Sequence, residues 1–254
     1  MNYDYLLSQT VWSYSRLKCY ENCKYSFFLQ YLDYPRPEKA EKFYTGYGKL
    51  MHGLIEKVTT GLISSDEARK EFLIAFPLID RSFIKPVTYN NYFEQAVECL
   101  SNLKKEDNIL ATEKQVNFKI GEYPFVGYID AIVRDGSGYY IRDYKTRILK
   151  STSAKKTTKS QEEFVQYAHQ LYLYSIATKE LYGEYPKKIQ FFCYRDSSVA
   201  EEEFNPDRLT DSEEWAASTI EQIKREEAWS PSPDWFFCNQ VCALSESCEY
   251  AHLI

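Results

Sequence analysis

The sequence predicts an α/β fold in which a mixed central sheet is flanked by helices. The first observation is a β-hairpin pattern at residues 125–146, where two runs rich in Val, Ile and Tyr flank a Gly-Ser-Gly turn. The second is that helical patterns precede and follow this hairpin, and the third is a short apolar strand after the second helical region. Elements in this order typically form one sheet with helices packed against it.

Composition places the chain among ordinary globular proteins. It has 254 residues, of which 44% are hydrophobic and 27% charged, and its net charge of −6 argues against general duplex binding through a basic surface. The 23 tyrosines and 15 phenylalanines suit a core and also stacking on nucleobases. The sequence shows no apolar run of membrane-spanning length and no signal-peptide pattern. We therefore expect an intracellular, cytoplasmic protein with no membrane partner.

The first part of the chain is predicted to be helical. Residues 13–32 predict one helix with a favoured serine N-cap, which places Cys19 and Cys23 one turn apart. A second helix carries an apolar stripe with His52 beside it. Residues 65–110 predict a helical insert interrupted by prolines. A lone histidine on a helix is more often structural than a metal ligand, so His52 needs support from other motifs.

The central hairpin is predicted to bring acidic residues together. If Gly136 and Ser137 form a two-residue type II′ turn, with positive φ at Gly136, Asp130 lies directly opposite Asp143. Lys145 then shares a face with Asp143, because side chains alternate along a strand. Opposed like charges destabilise a sheet unless something neutralises them, and Mg²⁺ or Mn²⁺ is the simplest neutraliser. The alternative is a hairpin that faces solvent, in which the aspartates simply lie at turns and strand ends.

A basic loop is predicted to follow the hairpin. Residues 146–160 are polar and contain no acid. The basic residues in this loop are Arg147, Lys150, Lys155, Lys156 and Lys159. A basic loop beside a metal site suits contact with the phosphate backbone of DNA. A solvated loop is the alternative.

The rest of the chain continues the α/β pattern. A long helix is predicted over residues 161–182, and it presents Gln170 and Tyr174 one turn apart. A buried strand follows at residues 188–195, and a further helix is predicted over residues 211–227.

Cysteines are concentrated near the two ends of the chain. Of the seven, five lie there: Cys19, Cys23, Cys238, Cys242 and Cys248. Clustered cysteines in a reducing compartment are more often metal ligands than disulfides. Four thiolates suit either an iron–sulfur cluster or a tetrahedral zinc ion.

The ordered motifs resemble those of the PD-(D/E)XK nuclease superfamily, in its RecB-like branch. That branch includes the CRISPR-associated RecB-like exonucleases and the AddB-type iron–sulfur nucleases. The matching motifs are His52 in GKLMHGLIE, Asp130 in GYID, Asp143-Tyr144-Lys145, the pair Gln170 and Tyr174 in QLYLY, and Cys23 with Cys238, Cys242 and Cys248. Two features depart from the family pattern: Lys24 follows the first cysteine in place of proline, and the first gap between the terminal cysteines is one residue longer.

The resemblance implies a restriction-endonuclease-like core with a metal-dependent nuclease site. It implies that His52, Asp130, Asp143 and the backbone carbonyl of Tyr144 hold Mg²⁺ or Mn²⁺. Glu113 is either a further acidic ligand or an exposed acid at the start of a strand. Lys145 would position the attacking water or stabilise negative charge, and Gln170 with Tyr174 would orient the site or the DNA strand.

The resemblance also implies a domain organisation. One nuclease domain would span residues 1–254, with the helical insert before a catalytic core at 111–200. Residues 1–45 and 229–254 would form a region that joins the two ends of the chain. There Cys23, Cys238, Cys242 and Cys248 would bind a 4Fe–4S cluster, with zinc as the alternative.

The implied activity is that of a DNA exonuclease acting on single strands or DNA ends. Its setting would be DNA repair, recombination, or phage or CRISPR DNA processing, with a separate helicase or a recombination or CRISPR-adaptation partner. A structure-selective or nicking endonuclease, a noncatalytic DNA-binding adaptor and a zinc-binding structural protein are the alternatives.

Overall fold

The central sheet is mixed and has helices on both faces. A computed structural model describes residues 3–34, 36, 38–151 and 158–251. Within these residues, five strands form one sheet in chain order: β1 (Ile109–Ile120), β2 (Tyr123–Asp135), β3 (Gly138–Lys145), β4 (Lys188–Cys193) and β5 (Ser198–Glu203). Strands β3 and β4 are parallel, and the other neighbouring pairs are antiparallel. The predicted α/β class with a mixed sheet is confirmed.

The helices form one layer on each side of the sheet. Their bounds are α1 (Asp4–Ser8), α2 (Tyr14–Asn22), α3 (Lys24–Tyr31), α4 (Phe43–Thr59), α5 (Ser65–Ala75), α6 (Pro86–Asn102), α7 (Lys159–Tyr182) and α8 (Pro206–Lys224). One core cluster lies between the sheet and α7 with α8, and a second lies between the sheet and α4, α5 and α6. Helix α7 joins β3 to β4, as parallel neighbours require a crossover. No helix in the described part of the chain is long and apolar enough to cross a membrane.

The hairpin formed by β2 and β3 has the predicted register. Ala131 pairs with Arg142 at the end of the ladder. Asp130 and Asp143 are the next residues on the two strands, beyond the last pair of the ladder. The two-residue loop sets this register.

The predicted turn type is wrong, although the loop length is right. Positive φ falls on Gly138, at 148°, and Gly136 has none. The Asp135 carboxylate accepts hydrogen bonds from the Ser137 N–H at 2.8 Å and from the Ser137 hydroxyl at 2.6 Å. A side-chain turn of this kind stabilises the loop without the positive φ predicted at Gly136.

The predicted single helix at residues 13–32 is two helices. Cys23 has extended backbone angles, φ −161° and ψ 110°, so it ends α2 and forms the N-cap of α3. Its Sγ accepts a hydrogen bond from the Ser26 N–H at 3.4 Å. Cys23 still donates its N–H to the Cys19 carbonyl, one turn back, at 3.0 Å, but its extended backbone bends the chain there and its thiol caps the second helix.

The prediction missed strand β5 and placed the start of α8 too late. Glutamates 201–203 have low β-propensity, but Glu201 forms a 2.8 Å ion pair with Lys188 of β4, which stabilises an edge strand. Helix α8 begins at Pro206, after an Asn205 N-cap whose side chain accepts the Asp207 N–H. Asparagine followed by proline is a helix-start signal that the sequence carried. The short helix α1 was also not predicted.

Candidate active site

Strand β2 changes its side-chain orientation at Asp130. Ile129 packs in the core cluster beneath α7, whereas Ala131 packs in the cluster beneath α4. Regular alternation would place these two residues on one face. Glu113 lies opposite Asp130, between the flanking pairs of the β1–β2 ladder, and its φ of 45° is rare for a residue other than glycine. Irregularities of this kind redirect side chains next to active sites.

This irregularity brings three potential metal ligands together. One ligand atom each from His52, Glu113 and Asp130 lies within 4.8 Å of the others. His52 Nδ1 on α4 is 3.4 Å from Asp130 Oδ2, and the same oxygen accepts the Tyr144 N–H at 2.6 Å. One imidazole and two carboxylates are a donor set that suits a divalent metal ion, manganese in particular.

The surroundings of these three residues disfavour their charged forms. Burial, together with the Asp143 carboxylate, raises the pKa of Asp130 well above its usual value. Partial burial is the main cause that raises the pKa of Glu113, and the charge of Glu56 is the second. Much of the Glu113 side chain is nevertheless exposed. Burial also lowers the pKa of His52. A dication at this position would stabilise the carboxylates as anions and the imidazole as a neutral ligand.

Asp143 and Lys145 form a buried pair on the face that packs against α7. Asp143 is 4% exposed, and its Oδ2 lies 2.7 Å from Lys145 Nζ. The contact is an ion pair, and Oδ2 accepts no further hydrogen bond from the described part of the chain. Burial alone would lower the pKa of Lys145, but Asp143 more than offsets it and the pKa is raised. Lys145 is thus an ammonium paired with a buried carboxylate.

Helix α7 supplies the next contacts to Lys145. Lys145 Nζ donates to Gln170 Oε1 at 3.1 Å, and Gln170 Nε2 donates to the Tyr174 hydroxyl at 3.4 Å. The Tyr174 ring lies so close to β2 that a Cβ on Gly127 would be 2.2 Å from its Cε1 atom. A glycine in β2 therefore sets how closely α7 approaches the sheet, a role that the sequence alone did not indicate.

Gly127→Ala is expected to destabilise the protein by about 1–3 kcal/mol, the usual cost of overpacking a core, and to lower the nuclease activity that the sequence predicts. The added methyl displaces Tyr174, and with it the contact of Gln170 with Lys145. Thermal unfolding and hydrolysis rates measure the two effects. Gly136→Ala is the matched control, because its new Cβ meets no described atom within 4 Å. Identical behaviour of the two variants would contradict this role of Gly127.

A cleft of about 530 Å³ opens in front of His52 and Lys145. Its other lining residues are Tyr44, Tyr92, Tyr144, Thr146, Arg147, Tyr167, Arg195, Phe236 and Val241. Most of these were missed by sequence reasoning, because they come from segments without a recognisable motif. One signal in the sequence could have indicated Arg195. It follows the parallel strand β4 in the same way as Arg147 follows β3, so both arginines are expected at the same end of these strands.

The structure separates the residues of the predicted basic loop. Arg147 lines the cleft and forms a 3.0 Å ion pair with Glu163. Lys150 and Lys159 are exposed, and Lys159 is the first residue of α7. Lys155 and Lys156 lie outside the described residues. DNA contact by this loop remains a prediction.

Four cysteines surround one small cavity between the two ends of the chain: Cys23, Cys238, Cys242 and Cys248. Cys19 is not among its lining residues. Its Sγ accepts a hydrogen bond from Gln30 Nε2 at 3.2 Å, and burial raises the pKa of this thiol to about 11. Trp229 stacks on Phe27 with ring centroids 5.8 Å apart, so aromatic packing also joins the two ends.

A mixed sheet whose inner strands carry an acidic group and a largely buried lysine is characteristic of divalent-metal-dependent nucleases. The chain belongs to the PD-(D/E)XK nuclease superfamily, whose family model matches residues 11–249. A crystal structure of a candidate exonuclease from Eubacterium rectale has a similar fold, with a TM-score of 0.52 and 14% identity over 96% of this chain and 87% of that chain. The crystal structure of SSO0001 is 15% identical over 97% of this chain and 95% of that chain, with a TM-score of 0.33. No curated protein sequence matches this chain.

Proposed function

We propose that the protein is a metal-dependent DNA exonuclease of the RecB-like branch, acting on single strands or DNA ends. The observation that carries this proposal is the gathering of His52, Glu113 and Asp130 beside the Asp143–Lys145 pair. Membership of a nuclease superfamily supports it. Its setting in repair, recombination, or phage or CRISPR DNA processing, with a separate helicase or recombination partner, is part of the same proposal.

In this proposal His52, Glu113, Asp130 and Asp143 hold the metal ion, with the backbone carbonyl of Tyr144. When bound, Mg²⁺ or Mn²⁺ would place positive charge next to the scissile phosphate and lower the pKa of a water molecule, which would become the nucleophile. Asp143 fits this set through its buried Oδ2, which contacts Lys145 Nζ at 2.7 Å and accepts no other hydrogen bond from the described residues.

Lys145 would stabilise the negative charge that develops on the phosphate oxygens. Its ammonium is held in place by Asp143 on one side and by Gln170 on the other. Tyr174 fixes the amide of Gln170 in turn. A donor that is already oriented needs no reorganisation during the reaction, which is the condition for strong transition-state stabilisation.

We assign a 4Fe–4S cluster to Cys23, Cys238, Cys242 and Cys248. A tetrahedral zinc ion with Zn–S bonds of about 2.3 Å holds its sulfurs about 3.8 Å apart. Yet no three of the described cysteine sulfurs approach within 4.8 Å of one another. Four thiols that line one cavity suit such a cluster, whose iron atoms lie at separate corners, and a zinc ion is the alternative.

The nuclease activity is tested with end-labelled linear single-stranded DNA and covalently closed single-stranded circles, each incubated with Mn²⁺. We expect degradation of the linear strand and survival of the circles, because an exonuclease requires an end. Addition of EDTA is expected to stop the reaction, because the metal supplies the nucleophile. Cleavage of the circles would indicate an endonuclease. Absence of hydrolysis from every substrate would contradict the enzymatic assignment and favour a DNA-binding adaptor.

A further inference from the structure

The cleft in front of the metal ligands has an aromatic wall. The Tyr44 ring lies 5.7 Å from Phe236 and 5.6 Å from Tyr92, measured between ring centroids. Phe236 is 43% exposed although it lines the cleft. Aromatic rings grouped on a concave surface, of which Phe236 is exposed and Tyr44 half-buried, are typical of a ligand site, and nucleobases stack on such rings whatever their sequence.

A cation without a carboxylate partner lies beside this wall. Arg195 Nε donates to the neutral Gln95 side chain at 2.8 Å, and its guanidinium lies 4.4 Å from the centre of the Tyr92 ring. Among the described residues, no carboxylate oxygen lies within 4.0 Å of Arg195. Arg147 and Lys145, the other cations of the cleft, each have an acidic partner. Arg195 is thus held in place while its charge stays available to an anion.

Arg195 lies just after the end of β4, beside the end of β3 that carries Lys145. Lys145 pairs with Cys193 in the parallel β3–β4 ladder, and the Tyr194 N–H donates to the Lys145 carbonyl at 3.2 Å. Arg195 follows directly, at the edge where β3 ends. A phosphate on Arg195 would therefore lie in the same cleft as a phosphate beside His52 and Lys145.

We propose that this cleft binds an unpaired DNA strand next to the scissile phosphate, with a base stacked on Tyr44 and Phe236 and a phosphate on Arg195. In a duplex each base face is covered by its neighbours, so a ring platform can only receive a base that is unstacked. This inference rests on the proposed nuclease function and narrows its substrate to single strands or frayed ends. It also makes the segment before Cys238 part of the substrate site.

The test measures binding by fluorescence anisotropy of a labelled single strand and of a blunt duplex made of two complementary strands, with EDTA present to prevent hydrolysis. The single strand is expected to bind at least about tenfold more tightly than the duplex. Phe236→Ala should weaken single-strand binding by about 5- to 150-fold, the range that stacking on one ring contributes. Arg195→Gln should weaken it by about tenfold and reduce the slope of log K against log salt by about 0.7.

Two exposed residues outside the cleft provide matched controls, Trp235→Ala and Arg225→Gln. Both should bind the single strand as the wild type does. Phe236→Leu retains apolar bulk without a π-face, so its loss of binding would identify stacking rather than misfolding. Equal binding by the wild type, Phe236→Leu and Arg195→Gln, or no preference over the duplex, would overturn the inference. Hydrolysis with Mn²⁺ is measured on the same preparations, so failure of the nuclease function is recognised separately.

Discussion

Lys145→Ala is expected to lower the rate of DNA hydrolysis by about 100- to 1,000-fold, the usual effect of removing one oriented donor to a transition state. The Lys145 ammonium has Asp143 and Gln170 as its contacts in a buried setting. In our proposal its remaining hydrogens face the phosphate. The rate is measured on end-labelled single-stranded DNA with saturating Mn²⁺.

The same variant should also lose stability, because it leaves the Asp143 carboxylate buried without its partner. Breaking a buried ion pair typically costs about 3–5 kcal/mol. If Asp143 is a metal ligand, Mn²⁺ should restore part of this loss in thermal unfolding experiments, since a cation bound to the folded state stabilises it. Lys119→Ala, an exposed lysine on β1, serves as the control for both measurements. Wild-type hydrolysis by Lys145→Ala would refute the proposed catalytic role.

Replacement of Cys238 by serine is expected to abolish cluster binding and to unfold or strongly destabilise the protein. Binding of a structural metal group adds directly to folding stability, by roughly 10 kcal/mol for small zinc domains. The four cysteines lie near both ends of the chain and line one cavity, so a cluster bound to all four would hold distant segments together. Absorbance near about 400 nm reports an iron–sulfur cluster, and metal analysis distinguishes iron from zinc.

Cys19→Ser is the matched control for the cluster, since Cys19 neighbours the site but does not line its cavity. It should retain the absorbance and the melting temperature. Cys238→Ser should also bind single-stranded DNA more weakly, because Phe236 and Val241 reach the cleft from the segment that carries Cys238 and Cys242. Loss of the cluster in Cys19→Ser but not in Cys23→Ser would reverse the ligand assignment.

The sequence indicated much of the hairpin and part of the site. Asp130 and Asp143 could be placed opposite each other because turn length and period-two alternation are local properties. His52, Gln170 and Tyr174 were found through a resemblance to known motifs. Errors arose where local signals compete, as at Cys23, whose thiol caps a helix in the middle of a pattern that reads as continuous.

What the sequence determined by itself was the class of fold, the hairpin register and the identity of the main acidic residues, because these depend on neighbours along the chain. The tertiary structure decided which groups meet. A backbone irregularity turned Glu113 towards Asp130 and His52. The packing of segments far apart in sequence placed Arg195 and Phe236 in one cleft. Such contacts depend on how whole helices and strands pack, and no local period in the sequence encodes that packing.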